Sequence, residues 1–494
     1  MFKKILVANR GAIAVRIIRT CRDLGIDTVA IYSPADRDSL HVRQADECLP
    51  LTSDLSYGDR LEVLALAKQV GADAIHPGYG FLAEDAEFAQ MCADAGIQFI
   101  GPSVGVLEVL HNKIETLRRV QQAGFQVPAH CDRSFNASEI DLLAQAAQQI
   151  GFPVVVKSCV GGRGRGGRVA MNAEHLRSTV EQAQAEAIAT FGDSRMYLER
   201  SIAPSHYLSV QILADSQGNI VHLGEHDGSL LRHNQKLLVE APAPSLNPDL
   251  RERICQAAVE IARLFHYQNA GGVEFLVDAS GNFYFTEIKA RIQMEHAVHE
   301  MVTGIDLVAE QIYVAAGQPL RFSQAEVKRS GHAILCRINA EDPWRNYLPS
   351  PGLLERYRLP SGMQVRVDTY GYAGCQIPVR YDSLLANIVA KADTRAECIV
   401  RLRRALEDCK IVGVQTNLPL FLHVLNNADF VVGEYDTGFM WRHRMGISSS
   451  DEETRRDLAV ASAVAYLLRS EIAQSRLPER FQSGWHRSSR HIPG

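Results

Sequence analysis

The sequence contains no long apolar run and no excess of basic residues. No apolar stretch reaches the roughly 20 residues that a membrane-spanning helix needs. The apolar run near the amino terminus is also too short for the core of a signal peptide. The net charge is -5, whereas nucleic-acid-binding proteins typically carry a marked positive charge. These absences predict a protein that binds neither a membrane nor nucleic acid.

The sequence also lacks any CxxC pair, although it has ten cysteines. Neither a zinc ribbon nor a thioredoxin-like redox site is therefore expected. In a chain of 494 residues without a secretion signal, dispersed thiols indicate a reduced, cytoplasmic protein. Cys159 is the cysteine that lies beside a glycine-rich loop, and we interpret it as a small residue rather than a reactive one.

The pattern of apolar residues divides the chain into three units and a tail. Strand, helix and strand alternate up to residue 110, which predicts a parallel α/β domain over residues 1–110. Helices and hairpin signals predict a second α/β domain over residues 111–330. Further strand patterns predict a β-rich domain over residues 331–447. A serine-rich link and a helix follow, in a polar tail over residues 448–494.

A glycine loop follows a valine-rich strand in the stretch VVVKSCVGGRGRGG, residues 154–167. Its last six residues match GxGxxG, but a dinucleotide site requires a helix directly after the loop. The next residues, RVAMN, predict a strand instead. No Gly-Lys-Ser/Thr ends the loop, so a Walker A site is also excluded. We interpret this segment as a flap whose backbone N–H groups close over nucleotide phosphates.

Six long blocks identify a family that the chain resembles. The blocks are ILVANRGAIAVRIIR, HPGYGFLAED, QKLLVEAPAP, EFLVD, ARIQMEHAVHEMVTGIDLV and HAILCRINAED. Together they resemble biotin carboxylase, an ATP-grasp enzyme of biotin-dependent acyl-CoA and pyruvate carboxylases. The resemblance runs from residue 1 to about 447, and it implies an ATP-grasp fold for the second domain, with a mobile lid at about 131–203.

The resemblance implies a two-step reaction that consumes ATP. ATP phosphorylates bicarbonate, and the carboxyphosphate then carboxylates N1 of biotin. The sequence contains no Met-Lys-Met biotinylation motif, so biotin is expected on a separate carrier protein. The resemblance also implies Mg²⁺ or Mn²⁺ as cofactor, a carboxyltransferase subunit of an acyl-CoA carboxylase as partner, and a homodimer.

The resemblance assigns one group of residues to bicarbonate and biotin. A guanidinium suits bicarbonate, because it can bind a planar anion through two parallel hydrogen bonds. Glu295 is implied as the general base, Arg337 as the group that stabilises the biotin enolate, and Tyr79 as a biotin contact. The implied bicarbonate ligands are Lys236, Arg291, Gln293 and the backbone at Met294.

A second group of residues is assigned by the resemblance to the nucleotide. Glu274 and Glu287 are implied as metal ligands, and they lie on the two strands of one predicted hairpin, as a shared cation requires. The implied nucleotide-binding residues are Lys113, Lys157, Gly162, Gly164, Gly166, Glu199, Ile202 and Leu276.

The chain departs from the family pattern on the nucleotide side. Lys289 stands where the family has an asparagine that helps to bind metal, and an ammonium group has no lone pair to offer. Two interpretations follow. Lys289 replaces a metal as a fixed cation, with Arg163 or Arg165 adding charge, or it pairs with Glu274 or Glu287 and closes the metal site. The second is preferred. The other departures are Val160, Arg163, Gly167, Tyr207, Ser209, Leu231 and Asn234.

Three functions remain open on the sequence. The first is an active biotin carboxylase subunit, supported by the presence of Lys236, Arg291, Glu295 and Arg337. The second is a diverged homologue with weak or absent ATP chemistry that acts as a binding or regulatory subunit. The third is an ATP-grasp ligase with another acceptor. ATP hydrolysis with bicarbonate, with and without biotin, distinguishes them.

Overall fold

The chain forms two compact units, Met1–His443 and Arg444–Gly494. In this computed structural model, the structure describes residues 1–159, 168–232, 235–443, 456, 459–464 and 466. Residues 459–464 of the second unit are helical, as the sequence predicted for the tail. None of the helices in the described ranges has the length and apolar character needed to cross a membrane.

The amino-terminal region of the first unit is a parallel α/β layer. Its sheet has the strand order β3-β2-β1-β4-β5, with every neighbouring pair parallel, as the alternation of strands and helices predicted. The elements are β1 (Lys4–Val7), α1 (Gly11–Asp23), β2 (Asp27–Tyr32), α2 (Leu40–Gln44), β3 (Glu47–Pro50), α3 (Arg60–Gln69), β4 (Ala74–His76), α4 (Ala86–Asp94), β5 (Gln98–Phe99) and α5 (Val104–His111).

The loop after β4 is fixed by Gly78 and Asn9. Gly78 has a φ of +62°, a left-handed conformation that glycine adopts without strain, and a Cβ there would lie 3.0 Å from both Asn9 and Ile13. The Asn9 amide donates hydrogen bonds to the carbonyls of Pro77 and Tyr79 at 2.6 and 2.9 Å. Tyr79 is thereby held at the carboxyl end of the parallel sheet, where open α/β sheets carry their ligand sites.

The central region contains the long strands and the helices that pack on them. Its elements are α6 (Lys113–Gln122), α7 (Ile140–Ile150), β6 (Val154–Ser158), β7 (Arg168–Ala170), α8 (Ala173–Phe191), β8 (Met196–Arg200), β9 (Ser205–Ala214), β10 (Ile220–Arg232), β11 (Gln235–Ala241), α9 (Pro248–Leu264), β12 (Asn269–Asp278), β13 (Phe283–Lys289), α10 (His296–Thr303) and α11 (Leu307–Ala315).

Strands β6, β7 and β8 form a small antiparallel sheet in the order β7-β6-β8. A strand therefore both precedes and follows the glycine loop, which confirms the strand predicted for RVAMN and excludes the strand-loop-helix unit of a dinucleotide site. Cys159 is buried beside β6, and burial raises the pKa of its thiol to about 11, consistent with its interpretation as an inert residue. All ten cysteines are free. The predictions for Val160, Gly162, Arg163, Gly164, Arg165, Gly166, Gly167 and Asn234 lie outside the described residues.

The carboxy-terminal region of the first unit is rich in short strands, as predicted. Its elements are β14 (His332–Asn339), β15 (Glu341–Asp342), β16 (Leu348–Pro349), β17 (Gly352–Leu353), β18 (Arg356–Arg358), β19 (Val365–Thr369), β20 (Gln376–Ile377), β21 (Leu384–Ala392), α12 (Arg395–Asp408), β22 (Lys410–Val412), α13 (Leu418–Asn426), α14 (Ala428–Val432) and α15 (Phe439–Arg442).

One eight-stranded sheet, here called the main sheet, joins the central and carboxy-terminal regions. Its strand order is β13-β12-β9-β10-β11-β14-β21-β19, and all pairs are antiparallel. The junction is the pairing of β11 with β14, from Leu238 opposite Cys336 to Ala241 opposite Ala333. The domain boundary that the sequence predicted near residue 330 falls between these two strands, and a continuous backbone ladder joins the two predicted domains across it.

Helix α9 supports the main sheet through one apolar face. It begins where the Asn247 side chain accepts a hydrogen bond from the N–H of Leu250 at 2.9 Å, with Pro248 in the first turn. Its buried residues recur at helical spacing and are Ile254, Cys255, Ala257, Ala258, Val259, Ile261 and Ala262. Helix α9 thereby packs against β9, β10 and β12, which are the central strands of the main sheet.

Candidate active site

Polar side chains form a row across consecutive strands of the main sheet. Glu287 on β13 lies opposite Glu274 on β12, which lies opposite Ser209 on β9, and Ser209 lies opposite His226 on β10. Lys236, on the next strand β11, reaches into the same row. Each of the four registered residues is at least partly buried. The pairing of strands far apart in sequence thus places carboxylates and cations on one surface.

Glu274 is enclosed by hydrogen-bond donors. Its Oε1 accepts from Lys236 Nζ at 2.9 Å and from the Gln293 side-chain amide at 3.0 Å. Its Oε2 accepts from the Tyr207 hydroxyl and lies 4.0 Å from Lys289 Nζ. Glu274 is 1% exposed, so these contacts compensate for the loss of hydration around a buried charge.

Lys289 lies between Glu274 and Glu287. Its ammonium donates to Glu287 Oε1 at 2.6 Å, and Lys113 Nζ lies 3.6 Å from the other oxygen of Glu287. Burial alone would lower the pKa of Lys289, but Glu287 and Glu274 raise it above its usual value. Burial would likewise raise the pKa of Glu287, but Lys289, Lys113 and Lys157 hold it well below its usual value. Both groups are therefore charged at neutral pH.

Lys236 and Glu295 approach each other at a longer distance. Lys236 Nζ lies 3.7 Å from Glu295 Oε1. Burial would raise the pKa of Glu295, but the charges of Lys236, Arg291 and Arg337 lower it. Glu295 is therefore ionised at neutral pH and able to accept a proton.

The segment between β13 and α10 carries the predicted bicarbonate ligands. Arg291 Nε donates to Glu84 at 3.1 Å, and one terminal nitrogen donates to the Ile292 carbonyl at 3.1 Å. Gln293 is buried, and its side-chain oxygen accepts from the Ser209 hydroxyl at 3.2 Å. The segment therefore brings a guanidinium, an amide and the Glu295 carboxylate to the end of the main sheet.

Arg337 lies on β14, next to the strand that carries Lys236. One terminal nitrogen contacts both oxygens of Asp382 at 2.8 Å, and Nε donates to the Asn339 side chain at 3.2 Å. Burial raises the pKa of the Tyr79 hydroxyl, and the charge of Arg337 opposes this rise. The structure thus brings Arg337 and Tyr79 within electrostatic range of each other.

The predicted nucleotide residues surround the small sheet and the edge of the main sheet. Lys157 on β6 donates to Glu199 on β8 at 2.6 Å, and the Tyr197 hydroxyl donates to the other Glu199 oxygen at 2.6 Å. Ile202 lies after β8 and Leu276 on β12, and both are half-buried. A cavity of about 460 Å³ is lined by Lys113 and Glu287 together with residues of the amino-terminal region.

Three contacts at the site were not assigned from the sequence. Glu84 binds Arg291, and Asp382 binds Arg337. The third is the contact of Lys236 with His226, which in turn contacts His299, and both histidines are buried. The Lys236 ammonium donates to His226 Nε2 at 3.4 Å, so His226 Nδ1 carries the hydrogen that it shares with His299 Nε2 at 2.8 Å. Glu84 and His299 lie within the sequence blocks that carry the family resemblance, but only the structure supplies their partners.

A divalent cation would require oxygens that these donors already occupy. Three of the four oxygens of Glu274 and Glu287 accept a hydrogen bond from a protein donor, and the fourth lies 3.6 Å from Lys113 Nζ. Across the described ranges, no group of three or more His, Cys, Asp or Glu side chains is placed to hold a metal ion. In this arrangement the residues present do not fit a protein-held Mg²⁺ or Mn²⁺, which prefers several oxygen ligands without a neighbouring ammonium.

Three family models match the chain in order. They are the biotin carboxylase N-terminal domain over residues 1–107, the carbamoyl-phosphate synthase L chain ATP-binding domain over residues 113–323, and the biotin carboxylase C-terminal domain over residues 335–442. Together they cover most of the first unit.

Curated relatives match over most of their own length. The chain is 45% identical to biotin carboxylase 1 of Bacillus subtilis over 444 residues, which cover 89% of this chain and 98% of the relative. It is 41% identical to the 2-oxoglutarate carboxylase small subunit of Hydrogenobacter thermophilus over 467 residues, which cover 94% of this chain and 98% of that relative.

A solved structure has the same fold. The biotin carboxylase domain dimer of Hydrogenobacter thermophilus 2-oxoglutarate carboxylase, in complex with MgADP, ADP and bicarbonate, is 42% identical and superposes with a TM-score of 0.87. The match covers 90% of this chain and 98% of that chain.

Proposed function

Because this chain belongs to the biotin carboxylase family, we propose that it carboxylates biotin with ATP and bicarbonate. The matching family models, the curated relatives and the related structure with MgADP and bicarbonate support this proposal. The reaction uses ATP with Mg²⁺, bicarbonate, and biotin presented by a separate carrier protein.

The observation that carries the proposal is the buried approach of Lys236 to Glu295. At 3.7 Å their charges interact without a tight hydrogen bond, so an anion can displace Glu295 from the lysine. Lys236 and Arg291 supply positive charge for bicarbonate, and such preorganised donors stabilise charge that develops during phosphoryl transfer. Ionised Glu295 takes the proton of bicarbonate. An oxygen of the bicarbonate attacks the γ-phosphorus of ATP at the same time, and ADP leaves.

Arg337 serves the second half of the reaction. Carboxyphosphate transfers its carboxyl group to N1 of biotin, and the phosphate that leaves takes up the N1 proton. The ureido oxygen of biotin becomes more negative as N1 is deprotonated, and the Arg337 guanidinium, whose charge also acts on Tyr79, stabilises that oxygen. Asp382 fixes the direction of the guanidinium.

The test is ADP release by the full chain with bicarbonate, measured with and without free biotin. We expect ADP release that requires bicarbonate and increases with biotin, together with formation of carboxybiotin. ADP release that is insensitive to biotin but responds to another acceptor would contradict the proposal and support a different ATP-grasp ligase.

A second candidate function is a binding or regulatory subunit with weak ATP chemistry. The 2.6 Å contact between Lys289 and Glu287 favours it, because it occupies a carboxylate expected to bind metal. This candidate predicts that the chain binds a biotinylated carrier while releasing no ADP in the same assay.

Partners follow from the kind of assembly that the relatives form. The 2-oxoglutarate carboxylase small subunit is by name one part of a larger carboxylase, and the related structure is a dimer. For this chain the proposed partners are a biotin carboxyl carrier protein and a carboxyltransferase subunit, and the proposed state is a homodimer. A monomer in light scattering at micromolar concentration would contradict the homodimer.

A further inference from the structure

The main sheet places one ammonium group where two carboxylates meet. Glu274 and Glu287 are register partners on β12 and β13, and Lys289 follows Glu287 by two residues on the same face of its strand. A lysine at that position reaches back toward the pair, with contacts of 2.6 and 4.0 Å. Lys289 is 7% exposed, so the ammonium is enclosed rather than free to point into water.

Neighbouring residues hold the Glu274 carboxylate in its orientation toward Lys289. Glu274 Oε1 is held by Lys236 and Gln293. The backbone opposite Lys289 is Gly272, and a Cβ there would lie 2.3 Å from the side-chain oxygen of Gln293. The absence of a side chain at Gly272 therefore allows Gln293 to lie against Glu274. The geometry of the pair is built from three strands and a loop, not from one flexible side chain.

The charges of this cluster are balanced by the protein itself. Its five cations all contact carboxylates, and five carboxylates take part. A divalent ion placed at the pair would add two positive charges beside an enclosed ammonium that has no lone pair to coordinate it. The cations are Lys113, Lys157, Lys236, Lys289 and Arg291, and the carboxylates are Glu84, Glu199, Glu274, Glu287 and Glu295.

We infer that Lys289 is an internal cation that takes the place of a protein-held divalent metal ion between Glu274 and Glu287. That Lys289 takes the place of a metal ion rests on its contacts with Glu274 and Glu287 alone. That its ammonium would also face the phosphates of a bound nucleotide rests on the proposed function. The chain is then less dependent on a divalent cation for nucleotide binding than a chain with an oxygen donor at this position.

The decisive measurement is Mn²⁺ binding by the full chain in saturating ADP. The electron paramagnetic resonance signal of free Mn²⁺ reports how much of the ion remains unbound. Two variants separate charge from coordination. Lys289→Met removes the charge at similar length, and Lys289→Asn also supplies an oxygen ligand. Lys68→Asn is the matched control, since Lys68 is an exposed lysine on α3.

We expect Lys289→Asn to bind Mn²⁺ at least tenfold more tightly than the unmodified chain. Lys289→Met should fall between the two, and Lys68→Asn should equal the unmodified chain. A gain of less than tenfold in Lys289→Asn would overturn the inference. If neither Lys289 variant folds, the affinity of the unmodified chain for ADP decides: a loss of less than tenfold on chelation of all divalent cations supports the inference, and a larger loss overturns it.

ADP release with bicarbonate and biotin, measured on the same preparations, separates this inference from the proposed function. Biotin-dependent turnover with unaltered Mn²⁺ affinity in Lys289→Asn removes only the inference. Tighter Mn²⁺ binding in Lys289→Asn, with no turnover by the unmodified chain, removes only the proposed function.

Discussion

The two ends of the site differ in how closely their charges are paired. At the nucleotide end, Lys289 with Glu287 and Lys157 with Glu199 make contacts of 2.6 Å. At the bicarbonate end, Lys236 lies 3.7 Å from Glu295. A contact of 2.6 Å is a direct charge-assisted hydrogen bond, whereas 3.7 Å is a looser electrostatic contact. Lys236 also donates to Glu274 at 2.9 Å, so its charge is paired as well, and a small anion would compete only with the looser contact to Glu295.

The largest effect is expected from breaking the charge balance at Glu274. Glu274→Gln leaves Lys236 and Lys289 without a full counter-charge in a buried position, and removing one member of a buried pair costs about 3–5 kcal/mol. Urea unfolding of the full chain measures this loss. Glu47→Gln, which breaks a solvent-exposed contact with Lys4, is the control and should leave unfolding unchanged. Equal stability of Glu274→Gln and Glu47→Gln would contradict the balanced cluster.

The bicarbonate end is tested by Lys236→Ala. Loss of one charged donor in a site closed from water typically lowers kcat by 10²- to 10³-fold, about 3–4 kcal/mol. Biotin-dependent ADP release measures it, with Lys68→Ala as the control at an exposed lysine. Turnover within tenfold of the unmodified chain would show that Lys236 does not bind the reacting anion. Arg291→Ala should give a loss of the same order.

The buried carboxylate Glu300, which lies outside both ends of the site, should make the free energy of unfolding depend on pH. Burial would raise the pKa of Glu300, but His296, Arg16 and Arg366 lower it from 4.5 to about 2. Ionised Glu300 therefore stabilises the folded chain above pH 4.5, by about 3 kcal/mol at ~1.4 kcal/mol per pKa unit. This contribution is lost as the pH falls from 4.5 toward 2.

Urea unfolding of the unmodified chain and Glu300→Gln, between pH 7 and pH 3, measures this contribution. The stability difference between the two proteins should be largest at pH 7 and should shrink as the pH decreases. A difference that stays constant over this range would refute the assignment of the shift to Glu300.

The smallest effect is expected from Tyr207→Phe. This change removes the hydroxyl that donates to Glu274 but keeps the ring, and hydrogen bonds to charged groups contribute about 1.5–3 kcal/mol. Thermal and urea unfolding measure the loss. Tyr284→Phe removes a more exposed hydroxyl that donates to Asp278 at 3.3 Å, so it should cost less. The reverse order would mean that Tyr207 does not help to hold the nucleotide end.

The sequence predicted the parallel amino-terminal sheet and the strand on each side of the glycine loop, because both depend on local patterns. It also placed Glu274 and Glu287 on one hairpin, which the register confirms. The contact of Lys289 with Glu287 was one of two open interpretations. Residues two apart on one strand lie on the same face, so the sequence allows that contact. The burial of Lys289, which keeps its ammonium group away from water, is known only from the structure.

Other contacts could not be derived from the sequence, since they join distant segments. Glu84 and Arg291 are separated by 207 residues, and Arg337 and Asp382 by 45. No periodicity within one segment indicates such partners. The junction of β11 with β14 was missed for the same reason, because the strand pattern marks each strand but not its neighbour.

The junction of β11 with β14 has a consequence for dividing the protein into fragments. A fragment that ends near residue 330 would lack β14 and leave the backbone of β11 as an open edge, flanked by the apolar side chains of Leu237 and Val239. Exposed apolar edge strands pair with other chains and cause aggregation. Chimaeras with a related protein should therefore exchange the main sheet as a whole, because a cut between Lys236 and Arg337 passes through its hydrogen-bonded interior.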